Sequence, residues 1–101
     1  MAVTLEEAFA LQAVKDVLST PHGQCYPASE TLYWMLGGKA AGYTPMRGSH
    51  HWWLRSPTGE VLDPTAEQYP DGFDYSVGKG GGFLTKLPSK RAQNLMEKMN
   101  G

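Results

Sequence analysis

The sequence predicts a small α+β domain, with amino-terminal helices packed on a small antiparallel sheet and a helix at the carboxyl end. Apolar residues recur at helical spacing over about 5–18 and again from Cys25 to Leu36. Two short strand-like runs flank the turn Ser56-Pro57-Thr58-Gly59, and a last helical stripe follows Pro88-Ser89. A chain of 101 residues has room for one core, so residues 1–101 read as one domain.

Composition narrows the function classes. The hydrophobic share of 41% and charged share of 19% are globular values. A net charge of −1 gives no electrostatic footprint for a nucleic-acid polymer or an anionic membrane. No apolar run approaches the roughly 18 residues that span a bilayer. Glu6 and Glu7 stand where a signal peptide needs basic residues, so the expectation is a cytoplasmic protein.

Thr4 and Glu7 have capping-box spacing, opening a helix over about 5–18 whose stripe is Leu5, Ala8, Phe9, Leu11, Val14, Val17 and Leu18. Ser19-Thr20-Pro21-His22-Gly23 breaks it. The second helix starts at Cys25, with Ala28, Leu32, Met35 and Leu36 on the face of Cys25 and Gly37-Gly38 as its stop. Pro27 fits because a first helical turn has no use for its missing N–H. Residues 39–49 read as a loop. A hairpin over about 50–64 then pairs His51-Trp52-Trp53-Leu54-Arg55 with Val61-Leu62-Asp63 and stops at Pro64. Residues 64–82 read as irregular and end in the run Gly78-Lys79-Gly80-Gly81-Gly82, and Phe83-Leu84-Thr85 reads as a short strand. The last helix places Ala92, Leu95, Met96 and Met99 on one side.

Chemistry converges on three residues. A lone cysteine cannot close an internal disulfide, which leaves Cys25 as an apolar filler, a metal ligand or a reactive thiol. A helix start favours the last, because its N–H groups and dipole stabilise a thiolate. The tandem His50-His51 begins a strand, and Asp63 lies near the end of the partner strand. A three-residue loop, 57–59, puts Trp53 opposite Asp63 and His51 on the same face; a two- or four-residue loop puts His50 there instead. The pattern alone leaves both registers open. It also leaves Asp63 open as a plain strand-end turn former.

A cysteine at a helix start, a strand histidine and a next-strand aspartate, in that order, resemble the papain-like fold group. That group includes transglutaminase-like enzymes, arylamine N-acetyltransferases and NlpC-type hydrolases. Gly23-Gln24-Cys25-Tyr26 is similar to their nucleophile-bearing turn, and His51-Trp52-Trp53-Leu54 with Gly59-Glu60-Val61-Leu62-Asp63-Pro64-Thr65 is similar to their histidine and aspartate strands. Residues 23–33, the hairpin and Asp63-Pro64-Thr65-Ala66-Glu67-Gln68-Tyr69 more closely resemble a group of short phage and prophage proteins. The resemblance implies a minimal papain-like or transglutaminase-like domain and favours His51 over His50. It implies Cys25 as nucleophile, His51 as proton shuttle and Asp63 as its orienting partner.

The first expectation is therefore a cysteine hydrolase or acyltransferase acting on an amide, isopeptide or other acyl bond. Gln24 would help hold an oxyanion, and His50, Trp52, Trp53 and Tyr26 would contact substrate. As a phage accessory protein it would act in the host cytoplasm on a host protein or small molecule, without a cofactor. The alternative is a non-catalytic anti-defence protein that sequesters a nucleotide-type signal or blocks a host defence protein. Aromatics would then stack on a base, while the glycine run and Arg47 or Arg55 meet phosphates. His22-x-x-Cys25 has ligand-like spacing for zinc, but neighbouring histidines on a strand point to opposite faces, so no metal is expected. A structural virion role finds no repeat or coiled-coil pattern to support it.

Overall fold

The structure, a computed structural model, describes residues 3–20, 22–83 and 86–100. It holds three α-helices, α1 (Leu5–Val17), α2 (Cys25–Met35) and α3 (Lys90–Asn100). Its antiparallel sheet has four strands, β1 (Thr44–Gly48), β2 (His51–Arg55), β3 (Val61–Leu62) and β4 (Lys79–Gly80), in the order β3-β2-β1-β4. No helix among the described residues is long and apolar enough to cross a membrane.

Helix α1 opens as its sequence dictates. Glu7 N–H donates to the Thr4 hydroxyl at 3.1 Å, and the Glu7 carboxylate accepts from Thr4 N–H at 2.8 Å. The Tyr43 hydroxyl also donates to Glu7 at 2.7 Å, tying this cap to the chain entering β1. The buried face is narrower than the expected stripe: Ala10 and Val14 are in the core, whereas Leu5 and Phe9 are 72% and 67% exposed. Helix α1 packs against both α2 and α3, and its apolar stripe is still wider than the face they cover.

Helix α2 runs through the centre, with every residue from Pro27 to Leu32 buried. Ala28, Leu32 and Leu36 meet Ala10, Val14, Leu54 and Leu62 in the main core; Met35, expected beside them, is exposed. Three polar side chains on this helix are wholly buried, and each has a partner. Ser29 donates to Trp52 O at 3.1 Å, and Thr31 donates to Pro27 O at 2.7 Å. Glu30 accepts from both the N–H and the hydroxyl of Ser89, at 2.8 and 2.6 Å. Ser89 precedes α3 and also accepts from Ala92 N–H, so one serine starts the last helix and pins it to the central one.

The sheet departs from the expected loop at 39–49. Residues Gly38–Ala41 form a 3-10 turn, and β1 pairs with β2 along its whole length, from Thr44↔Arg55 to Gly48↔His51. The two-residue turn between them, Ser49-His50, has φ of 50° and 63°. Such turns normally carry Asn-Gly, so Ser-His gives no turn signal, and Pro45, Gly42 and Gly48 mimic loop composition. The β2–β3 pairing has Leu54↔Leu62 and Arg55↔Val61, and Ser56 N–H donates to Glu60 O at 2.9 Å across the three-residue loop 57–59. Part of the glycine run is β4, whose Lys79 pairs with Arg47 and whose Gly80 pairs with Met46. Gly78 is required before it, because a Cβ there would overlap the Trp53 ring. Phe83 is not in a strand; Leu84 and Thr85, with Pro21, lie outside the described residues.

Ser89→Ala removes the α3 cap and the hydroxyl contact to buried Glu30, and keeps the backbone N–H contact. Urea unfolding is expected to show a loss of about 1–3 kcal/mol. Gln12→Ala, on an exposed face of α1, is expected to stay within about 0.5 kcal/mol of the parent.

Candidate active site

Strand β3 is only two residues long and covers β2 only at Leu54 and Arg55. The edge of β2 at Trp52 is closed instead by α2. Two residues one helical turn apart take the main-chain groups of Trp52: Ser29 donates to its carbonyl, and its N–H points to the Cys25 sulfur. The sulfur also lies 4.0 Å from His50 O. Cys25 is thus held at the first residue of α2, half-buried, beside the start of the strand that carries His51.

His51 is wholly buried on the opposite face of β2 from Leu54. Its Nε2 is 2.7 Å from Asp63 Oδ2. Continuing the observed β2–β3 register by one residue sets Trp53 opposite Asp63, with His51 one diagonal step away, as the 57–59 loop predicts. Asp63 is saturated with donors: Tyr75 hydroxyl to Oδ2 at 2.7 Å, and Thr65 N–H and hydroxyl to Oδ1 at 3.0 and 3.3 Å. The imidazole is boxed by rings. Trp53 stacks on it at 5.6 Å between centroids, while Tyr69 and Phe73 each approach to 4.8 Å.

With Nε2 committed to Asp63, the other ring nitrogen, Nδ1, meets the Gln68 amide nitrogen at 2.8 Å. A neutral ring donates from Nε2 to Asp63 and accepts from Gln68 at Nδ1. A protonated ring donates from both nitrogens, so the Gln68 amide must then turn its oxygen to Nδ1.

Electrostatics follow from these contacts. Burial pushes the Cys25 thiol up, but hydrogen bonds from His51 and Trp52 N–H, the His51 charge and Tyr26 N–H leave it below its ordinary value. Burial would lower His51, yet Asp63 and Cys25, by hydrogen bond and by charge, raise it to about 9. Burial likewise works against the Asp63 carboxylate, and His51, Tyr75 and Thr65 outweigh it, holding the group below its usual range. Tyr75 is pushed up by burial and by Asp63. The arrangement favours imidazolium and carboxylate together at neutral pH and shifts Cys25 towards its thiolate. The His51 contribution to stability is complete below its unfolded value of about 6.5 and is lost as pH rises through about 9. That of Asp63 is present above its unfolded value and is lost as pH falls through its depressed folded one.

Other residues expected at the site divide. Tyr26 and Trp52 pack edge to face at 4.9 Å, and Phe83 joins them at 5.3 and 5.4 Å, forming an aromatic patch next to the thiol. Gln24 is the residue before α2 and spends no side-chain bond on capping it. Trp53, expected to contact substrate, is 1% exposed and forms the wall behind His51. The His50 side chain is exposed in the tight turn, and only its carbonyl faces the sulfur. His22 is exposed, and no group of three or more metal-ligating side chains exists among the described residues. Thr65, Gln68, Tyr69, Phe73 and Tyr75 were not expected at the site. Their one sequence signal is a density of aromatics in a segment otherwise composed like a surface loop.

No protein-family model, no curated sequence and no solved structure matches this chain.

Asp63→Asn removes the charge that sustains the imidazolium. The His51 ring, followed by NMR against pH, is expected to titrate near pH 9 in the parent. In the variant it should titrate lower by about one unit or more. An unaltered titration would show that Asp63 does not govern His51.

Proposed function

We propose that this protein is a minimal papain-like cysteine hydrolase or acyltransferase acting on an amide, isopeptide or other acyl bond. One observation carries the reading. Cys25, His51 and Asp63 come from a helix start, a strand and the end of the next strand: His51 Nε2 is 2.7 Å from Asp63 Oδ2, and the thiol and the imidazole each favour the other's charged form. This chain order, with a central helix laid against an antiparallel sheet, also supports kinship with the papain-like group.

In the first half-reaction the Cys25 thiolate attacks the acyl carbon, and the carbonyl π electrons move onto oxygen. The Cys25 N–H, in the first turn where no intrahelical acceptor exists, and the Gln24 amide would receive that oxyanion. The tetrahedral adduct collapses, His51 gives its Nδ1 proton to the leaving group, and a thioester remains on Cys25. In the second half-reaction water or another nucleophile gives a proton to Nδ1 and attacks the thioester, which releases the acyl product and the thiolate. Asp63 stays ionised throughout and holds the ring by Nε2. The Tyr26, Trp52 and Phe83 patch beside the sulfur supplies apolar contact for the acyl group or its neighbour.

Mixing the protein with p-nitrophenyl acetate tests this reading. The expected result is a burst of about one equivalent of p-nitrophenolate, with one acetyl group added at Cys25 by mass spectrometry. Cys25→Ser should abolish the burst, and His51→Ala should slow it by about 100-fold or more. Acetylation spread over lysines with Cys25 unmodified would refute the assignment.

A further inference from the structure

Against Trp52 lies a cleft of about 320 Å³ whose charged wall the acyl-transfer chemistry leaves unused. Its walls are Pro45, Arg47 and Trp52 on one side and Lys79 with Gly80, Gly81 and Gly82 on the other. Arg47 and Lys79 are direct partners across the β1–β4 pair, so two cations face each other on the same side of the sheet. Both are exposed, and among the described residues neither has a carboxylate partner. Like charges placed opposite each other repel, and this chain has a net charge of −1, so the pairing is not a by-product of a basic protein. An anion between them would remove the repulsion and gain both contacts.

Trp52 joins this cleft to the reactive sulfur. Its N–H faces Cys25, while its ring forms part of the cleft wall, with the Arg47 guanidinium 5.4 Å from the ring centroid. Gly81 N–H donates to Pro45 O at 3.0 Å, and Phe83 stacks on Trp52, so the glycine segment is tied down at both ends of the cleft. Side chains at Gly81 and Gly82 would meet nothing within 4 Å, so glycine there keeps the mouth open rather than relieving a clash.

We infer that this cleft binds an anionic group on the acyl substrate, a carboxylate or a phosphate held between Arg47 and Lys79, and so presents the acyl carbon to Cys25. The inference rests on the acyl-transfer reading of the thiol. It makes the preferred substrate a small or terminal acyl compound with its negative charge a few bonds from the scissile carbonyl.

Matched alkylating probes separate the two readings. N-iodoacetyl-β-alanine, its neutral amide and N-iodoacetyl-O-phosphoethanolamine carry the same reactive carbon; the thiolate forms the carbon–sulfur bond as iodide leaves. At low ionic strength the better of the two anionic probes should alkylate Cys25 about tenfold faster than the amide, and salt should erode the advantage. The faster of the two identifies carboxylate or phosphate as the group preferred. In Arg47→Gln/Lys79→Gln the ratio of anionic to neutral rate should collapse towards one, whereas Lys98→Gln, on α3, should keep it. Rapid alkylation with the same ratio in parent and double variant would overturn this inference alone. Slow alkylation by all three probes near neutral pH would overturn the acyl-transfer reading, and this one with it.

Discussion

Strand β3 stops at Leu62, and the open edge of β2 beyond it is finished by side chains rather than by another strand. Ser29 and Cys25, four residues apart on α2, take the carbonyl and the N–H of Trp52. Bare strand edges are costly to leave unsatisfied when partly buried, so this constraint locks the start of α2 to the start of β2. A longer β3 would pair with Trp52 itself and push the thiol away from His51. The candidate site therefore depends on a strand being short.

The tight turn before β2 works in the same direction. Ser49 and His50 both adopt left-handed backbone, at a cost on the order of 1 kcal/mol each for residues with a Cβ. That turn brings His51 immediately onto the strand and sets the His50 carbonyl near the sulfur. Strain of this kind persists where surrounding structure enforces it. Behind His51, a buried carboxylate is kept ionised by Thr65 and Tyr75 as well as by the ring itself, so no partner of the series is left uncompensated in a dry environment. Trp53 and Phe73 pack against the imidazole, and its Nδ1 meets the Gln68 amide.

What could be read in the sequence was local or was fixed by one turn length. Thr4 and Glu7 announce α1, Pro27 dates the first turn of α2, and Ser89 marks the start of α3. The residue pattern leaves two registers open, and the observed loop 57–59 is the one that places His51 and Asp63 on one face. Strand β1 was illegible because Pro45 and two glycines resemble loop composition and its turn lacks glycine. Gln68, Tyr69, Phe73 and Tyr75 reach His51 or Asp63 from an irregular segment, where spacing carries no information about direction. Leu5 and Phe9 show the converse: their helical periodicity is real, but periodicity does not say how much of a stripe finds a partner.

The central claim is that Cys25 is a thiolate because His51 is beside it. Ultraviolet absorbance of the thiolate, followed against pH in the parent and in His51→Ala, measures this directly. The account predicts that the parent titrates below the ordinary thiol value of 9.0, and that the variant titrates above the parent, since burial then acts without the imidazolium. A parent that titrates at or above that value, with no response to loss of His51, would contradict it.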